Sequence, residues 1–130
     1  MGVVKFEQDI AMCRLHKETS NPFSAGISRR VVERTVAIAF EVPLRELRAT
    51  TRRKAQIAFA RQVAMYLVHV AYGISLTHVG TLFGRDRTTV AHACTIIEDR
   101  RDDPAFDTLL DNLEIAVVRL TSALNTLKIS

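Results

Sequence analysis

The sequence contains no tryptophan, and its 130 residues include only three prolines and five glycines. This shortage of turn-forming residues disfavours an architecture of many short strands and favours helices. The two cysteines, Cys13 and Cys94, lie far apart and outside any CxxC pair, which argues against a disulfide framework or a zinc site. The longest apolar run is too short to span a bilayer, and no secretory signal is recognisable. We therefore expect a cytoplasmic protein with no membrane partner.

Basic and acidic residues are concentrated in different parts of the chain. The net charge is +4 and the isoelectric point is about 9.5. Residues 45–61 hold six basic residues against one acidic residue, whereas residues 98–114 hold seven acidic residues against two basic ones. This layout is typical of a DNA-binding domain with a defined docking face, because one part attracts phosphates and the other repels them. A solvated basic surface is the alternative explanation.

Hydrophobic periodicity predicts helices along the whole chain. An apolar stripe from Val3 to Cys13 predicts a first helix over about residues 3–17, and Ser28 is predicted as the N-cap of the next. Further helices are predicted over about 55–72, from Ser75 to Leu82, from about 86 to 101, and after Pro104. We therefore predict an all-α, compact helical bundle, in which residues 1–27 are an accessory helix and loop and residues 28–130 form the main domain.

The first predicted helix has no assigned role in this main domain. Its apolar stripe would either pack onto the rest of the same chain, which is the preferred interpretation, or pair two chains as a homodimer.

Residues 75–101 have the outline of a helix-turn-helix, in which Gly84 makes the turn. On a helical wheel, one side of the second helix is apolar and the other is polar. The polar side offers an arginine, hydroxyl groups, a methyl group and a histidine, which can read base edges in the major groove. Asp86 has two interpretations, since it could cap the helix or accept a hydrogen bond from cytosine. The apolar side is Val90, Ala93, Cys94, Ile96 and Ile97, and the polar side is Arg87, Thr88, Ala91, His92 and Thr95.

The segment ARQVAMYLVHVAYGISLTHVGTLFGRDRTTVAHACTIIEDRR, residues 60–101, resembles the C-terminal DNA-binding domain of the bacterial replication initiator DnaA. That family carries an RQxAMYL helix, an SLxxIG helix and the signature GGRDHTTVxHA. The resemblance extends more loosely from about residue 31 to residue 120. It implies a helix-turn-helix in a Trp-repressor-like fold, with double-stranded DNA containing a short A·T-rich box as the partner. Two departures stand in the signature, where Gly84 is single and Arg87 replaces histidine.

The resemblance also implies which residues contact DNA. The recognition helix would enter the major groove, and an arginine of the basic loop, preferably Arg53, would enter the adjacent minor groove. The implied major-groove residues are Asp86, Arg87, Thr88, Thr89 and His92. The implied residues of the basic loop, the minor groove and the phosphate contacts are Arg52, Arg53, Lys54, Arg61, Gln62, Leu76, Thr77 and Arg85.

Other activities lack a recognisable signature. No P-loop pattern GxxxxGK[ST] occurs, so we expect no ATPase domain. No arrangement of Ser-His-Asp, Cys-His or paired carboxylates indicates an enzyme, and the four histidines lack metal-ligand spacing, so no cofactor, metal or small-molecule substrate is expected. His69 is interpreted as a satisfied core or edge residue and Cys94 as a buried thiol.

These observations predict a nucleoid-associated protein that binds DnaA-box-like sites sequence-specifically and regulates transcription or replication initiation. The alternative is a protein-interaction module that modulates the initiator or another replication protein.

Overall fold

The computed structural model describes residues 24–49 and 54–129, and all regular structure within these ranges is helical. The helices are α1 (Ser24–Ala39), α2 (Leu44–Arg48), α3 (Ala55–Tyr72), α4 (Leu76–Phe83), α5 (Arg87–Arg100) and α6 (Pro104–Ile129). The prediction of an all-α bundle is therefore confirmed. The predicted helix over residues 3–17 and the basic-loop residues Arg52 and Arg53 lie outside the described residues.

The start of α1 differs from the prediction. The helix begins at Ser24, so Ser28 lies inside it and is fully buried rather than acting as the N-cap. The physical reason is packing, because Ala25 and Ile27 lie against the hydrophobic core and their burial extends the helix by a turn.

Helix α3 is the centre of the bundle and contacts each of the other described helices. Its bounds agree with the prediction, and it ends at Gly73, whose φ of 66° is the left-handed conformation that glycine adopts without strain. The side chains of Tyr66 and Leu67 are fully buried, as expected for a helix that is apolar on nearly every face. Because α5 packs on α3, this central helix supports the predicted recognition helix.

A buried arginine links α3, the end of α5 and α6. Arg101 is 5% exposed, and its guanidinium donates to the hydroxyl of Tyr66 at 3.0 Å. It also pairs with three carboxylates of α6, namely Asp107 at 2.6 Å, Glu114 at 3.5 Å, and Asp111. Burial acts to lower the pKa of Arg101, but its hydrogen bonds to Asp107 and Tyr66 and the charge of Glu114 raise the pKa overall. Several carboxylates of the acidic stretch, residues 98–114, therefore stabilise the bundle in addition to repelling phosphates.

Tyr66 extends this network toward the recognition helix. Its hydroxyl donates to a carboxylate oxygen of Glu98 on α5 at 2.8 Å, and burial is the main reason that its pKa is raised. The C-terminal part of α5 is thus fixed to α3 by polar contacts as well as by apolar packing.

We predict that Arg101→Met lowers the free energy of unfolding by about 3 kcal/mol, because it leaves three partly buried carboxylates close together without their cation. Urea denaturation followed by circular dichroism measures this change. The control is Arg119→Met, which removes an exposed arginine from α6, the helix whose carboxylates bind Arg101, and should change stability by less than about 0.5 kcal/mol. Equal losses in the two variants would contradict the structural role of Arg101.

Candidate nucleic-acid interface

Helices α4 and α5 are joined by a turn of three residues, 84–86. Ser75 caps α4, as predicted, because its hydroxyl accepts a hydrogen bond from the amide of His78 at 3.1 Å. Gly84 ends α4 with a φ of 65°, and the amide of Arg85 then donates to the carbonyl of Gly80 at 2.8 Å. A Cβ atom at Gly80 would lie 2.5 Å from the carbonyl oxygen of Arg85. The angle between the two helices thus depends on a glycine inside α4 as well as on the one in the turn.

Helix α5 has one buried and one exposed side, as the helical wheel predicts. Val90 and Ile97 are fully buried and Ala93 nearly so, whereas Arg87, Thr88, Thr89, His92 and Thr95 are exposed. Because the buried side is packed against α3 and α4, the exposed side is the one that α5 can present to a ligand.

Asp86 stands at the N-cap position of α5 but makes no capping hydrogen bond through its side chain. Its backbone is extended, with ψ at 151°, and the residue is exposed. The sequence left open whether Asp86 caps α5 or contacts a base. The structure does not support capping, because the carboxylate accepts no hydrogen bond from an amide of α5. The carboxylate instead faces outward at the start of the recognition helix, where base contacts are made in helix-turn-helix complexes.

An open groove of about 670 Å³ separates the N-terminal part of α3 from the exposed side of α5. Residues that the sequence assigned to base and phosphate contacts meet along its walls, although they are up to 38 positions apart in the chain. The groove is lined by Lys54, Ala55, Ala58, Arg61, Gln62, Met65, Arg85, Thr88, Thr89, His92 and Ala93. Arg87 and Asp86 are not part of this lining and lie beyond it on the exposed side of α5.

Arg61 is buried and binds the end of α2. Its Nε donates to the carbonyl of Leu47 at 3.0 Å, and its Nη2 donates to the carbonyls of Ala49 at 2.8 Å and Glu46 at 3.2 Å. Ala49 is the last described residue before the basic loop. Arg61 therefore fixes the point from which that loop leaves the bundle, in addition to its place in the groove wall.

The electrostatics of the groove favour an anion. Burial lowers the pKa of Arg61, and the nearby cation of Arg85 lowers it further. A negative charge bound in the groove would offset both effects, because it compensates for lost hydration and screens the repulsion between the two guanidinium groups.

The other predicted phosphate contacts lie at helix starts. Leu76 and Thr77 are the first residues of α4, where backbone amides lack partners within the helix. Lys54 is exposed and precedes α3 in an extended conformation. Arg52 and Arg53, the predicted minor-groove residues, lie outside the described part of the chain.

The surroundings of His69 and Cys94 agree with the structural roles that the sequence predicts for them. The Nδ1 atom of His69 lies 2.6 Å from the carbonyl oxygen of Ile74, so its ring is satisfied within the bundle. Burial, with a contribution from the carboxylate of Glu98, raises the pKa of Cys94 to about 12, which keeps the thiol protonated and unreactive at neutral pH. Within residues 24–49 and 54–129, no group of three or more His, Cys, Asp or Glu residues could hold a metal ion.

Sequence reasoning missed the role of Gly80 and the arrangement of Arg29, Glu33 and Arg48 beside the groove. The role of Gly80 could have been predicted, since this glycine is the last residue of the SLxxIG pattern. The pairing of Arg29 with Glu33 could hardly have been predicted, because charged residues at this spacing on a helix are usually solvated.

Two helices joined by a glycine-dependent turn, with the second exposing polar side chains beside a basic groove, define a helix-turn-helix protein. The family model of the bacterial DnaA protein helix-turn-helix matches residues 30–97. The chain therefore belongs to this family, which is a double-stranded DNA-binding module. No helix of the described residues combines the length and apolar character that crossing a membrane requires.

Relatives of the chain include two chromosomal replication initiators. Chromosomal replication initiator protein DnaA 2 of Chlamydia muridarum is 36% identical over 85 residues, or 65% of this chain. Chromosomal replication initiator protein DnaA 1 of Protochlamydia amoebophila is 42% identical over 74 residues, or 57% of this chain. The matched part spans only 18% and 16% of the length of these relatives, respectively. The similarity therefore concerns the helix-turn-helix region and a small part of each initiator.

We predict that Gly80→Ala destabilises the fold by about 1–3 kcal/mol and weakens DNA binding, because the added methyl group must push the turn away from α4. Gly26→Ala is the matched control, since a Cβ atom there has open space. Thermal unfolding and duplex titration at a temperature where both variants are folded measure the two effects. Wild-type affinity in a folded Gly80→Ala variant would show that the turn does not set the docking geometry.

Proposed function

We propose that the chain binds DnaA-box-like sites in double-stranded DNA sequence-specifically, and that this binding regulates transcription or replication initiation without nucleotide hydrolysis. The observation that carries the proposal is the exposed side of α5, on which Arg87, Thr88, Thr89 and His92 lie at or beside a groove lined with arginines. Membership of the DnaA helix-turn-helix family supports the same type of site.

In this proposal, the N-terminal half of α5 enters the major groove. The methyl groups of Thr88 and Thr89 contact thymine methyls, and the hydroxyls bond to base edges. Arg87 donates to a guanine or a phosphate, while Asp86 accepts from a cytosine amino group. His92, one turn further along the same side, contacts a neighbouring base. The apolar side of α5 holds these groups in a fixed register because it is buried against α3 and α4.

Phosphate contacts flank the recognition helix. The backbone amides of Leu76 and Thr77 at the start of α4 are suited to one phosphate, because the N-terminus of a helix carries unpaired donors and a partial positive charge. Arg85, Gln62 and Lys54 line or border the groove and contribute further donors. We place Arg61 at the edge of this set, where its guanidinium both supports the loop and adds positive charge.

The basic loop completes the interface. It follows Ala49, which Arg61 holds, and precedes Lys54, which lines the groove. We propose that one of its basic residues, preferably Arg53, enters the minor groove next to the major-groove segment read by α5. A narrow A·T-rich minor groove favours an inserted arginine because its negative potential is enhanced.

Titration of the wild-type chain against an initiator-type box and a scrambled duplex at several salt concentrations tests the proposal. We expect the box to bind more tightly at moderate salt, and the logarithm of affinity to fall with the logarithm of salt by about 0.9 per phosphate contacted. Equal affinity for the two duplexes would refute sequence-specific reading of this box. Selection of bound duplexes from a random pool would then return the true site and its symmetry.

We predict that Thr88→Ala weakens binding to the preferred site by about 1–3 kcal/mol and leaves binding to scrambled duplex nearly unchanged, because it removes a base contact and no charge. Thr108→Ala on α6, also an exposed threonine, is the control and should bind both duplexes like wild type. A loss of affinity shared by both duplexes would assign Thr88 to the backbone instead.

We predict that Arg87→His changes the preferred base at a single position of the site, because it restores the residue that the family signature carries there. A guanine preference at that position should weaken by about 1–3 kcal/mol if Arg87 makes a bidentate contact. Pool selection with both proteins measures the change. Identical selected sites, with lower affinity and a smaller salt slope for the variant, would instead indicate that Arg87 binds phosphate.

A protein-interaction module is the second candidate, favoured by the exposed apolar side chains of α6. Ile115 is 50% exposed and Leu120 is 47% exposed, so both side chains are accessible to a partner protein. This candidate predicts no duplex binding at any salt concentration and unchanged behaviour of Thr88→Ala. Substitution of Ile115 and Leu120 by Gln would leave DNA binding intact if the first proposal is correct.

We further propose that residues 1–27 form an accessory segment and that residues 28–130 form the DNA-binding domain. Removal of residues 1–23 should preserve DNA binding. Sedimentation of the full and shortened chains distinguishes a homodimer formed by this segment from packing within one chain, since only the homodimer changes mass with concentration.

A further inference from the structure

A second and smaller groove lies on the other side of Arg61 and Arg85. Its volume is about 280 Å³, and it is formed by α1, the end of α2, the end of α4 and the turn. Because Arg61 and Arg85 line both grooves, the second groove continues the surface that we assign to DNA. It is lined by Arg29, Glu33, Leu47, Arg48, Arg61, Leu82, Phe83, Gly84 and Arg85.

A buried carboxylate organises two of the arginines of this groove. The side chain of Glu33 is only 3% exposed, and its Oε1 accepts a hydrogen bond from Nε of Arg48 at 3.2 Å. The Nε of Arg29 lies 3.7 Å from the same oxygen, and the Nη1 of Arg29 donates to the carbonyl of Leu82 at 3.0 Å. Arg29 is thus fixed between α1 and α4, whereas Arg48 is bound through one edge of its guanidinium.

The remaining edge of the Arg48 guanidinium is formed by its two Nη groups. Its side chain is 41% exposed, and its two Nη groups have no hydrogen-bond partner among the residues that the structure describes. Since Glu33 holds the Nε edge, the guanidinium is oriented before any ligand arrives. An arginine held in this way loses less side-chain entropy when it binds an oxyanion.

The charge balance of the groove favours an anionic ligand. Four arginines line it against the single carboxylate of Glu33, so three positive charges are uncompensated within the lining. Two of these charges, on Arg61 and Arg85, are close enough that the second lowers the pKa of the first. A phosphate near Arg48 would reduce this repulsion and accept hydrogen bonds from its Nη groups.

We propose that Arg48 binds a backbone phosphate of the duplex on the strand that separates the major groove read by α5 from the minor groove entered by the basic loop, and that Glu33 is its positioning residue. This inference rests on the proposed function. Its geometric basis is that Arg48 adjoins Ala49, where the basic loop begins, and shares a groove with Arg85 of the recognition turn. One strand of phosphates must pass between two adjacent grooves, and this surface extends from the recognition turn to Arg48, next to Ala49 where the described chain stops before the basic loop.

The salt dependence of duplex binding tests this contact. Arg48→Gln should reduce the slope of log affinity against log salt by about 0.9, the contribution of one phosphate, and weaken binding equally on preferred and scrambled duplexes. Arg119→Gln on α6 removes the same charge from an exposed position on a helix that packs on α1 and α3, and should keep the wild-type slope.

A double variant, Glu33→Gln with Arg48→Gln, distinguishes loss of the phosphate contact from a change in net charge and from a loss of folding. It has the net charge of the wild type and leaves no buried carboxylate without its partner, so it should fold even if the single variant is unstable. We expect its salt slope also to fall by about 0.9, whereas Arg48→Lys should retain the slope. Circular dichroism confirms that each variant is folded before titration.

A wild-type slope in the folded double variant would overturn the proposal. This outcome is distinct from failure of the proposed function, which is measured on the wild-type chain as equal affinity for box and scrambled duplex. If the chain bound both duplexes equally, the slope of the variants would still decide whether Arg48 meets a phosphate. Absence of any duplex binding would refute both proposals together.

Discussion

The position of the recognition helix depends on the burial of Arg101 at the point where α5 ends. Its guanidinium joins the hydroxyl of Tyr66 on α3 to three carboxylates on α6, and Tyr66 in turn binds Glu98 on α5. A charge buried this deeply is tolerated only when all its partners are in place, so the network permits one arrangement of three helices. The apolar side of α5 alone would allow small shifts along α3, whereas these polar contacts fix its register.

Arg61 has a comparable structural role at the end of α2, just before the basic loop. Three backbone carbonyls at the end of α2 accept its hydrogen bonds, which ties the start of the basic loop to the central helix. The two arginines therefore fix the recognition helix and Ala49, the residue before the basic loop. The spacing between these two points is a property of the bundle, and duplex DNA requires such a fixed spacing because its grooves are rigidly related.

Prediction from the sequence succeeded where local chemistry is decisive. The bounds of α3, the cap at Ser75 and the glycine ends at Gly73 and Gly84 follow from patterns within one or two helical turns. The division of α5 into apolar and polar sides was also predictable, because a helical period of 3.6 residues converts spacing into direction. Prediction failed at Ser28, where packing of Ala25 and Ile27 against the core outweighed the capping preference of a serine. The partners of Arg101 were not predictable either, since an arginine within an acidic stretch has the same pattern whether it is solvated or buried.

The sequence by itself determined the all-α class, the helix-turn-helix and the exposed side of α5, because periodicity, caps and glycine signals act over a few residues. Only the tertiary structure decided that Asp86 makes no capping bond, that Gly80 must lack a side chain, and that Glu33 orients Arg48 beside the groove. These features depend on contacts between residues up to 15 positions apart or on backbone atoms of another segment. Such contacts exist only after the helices have packed. Their energies depend on how deeply the groups are buried and on hydrogen-bond geometry, and a sequence pattern contains neither.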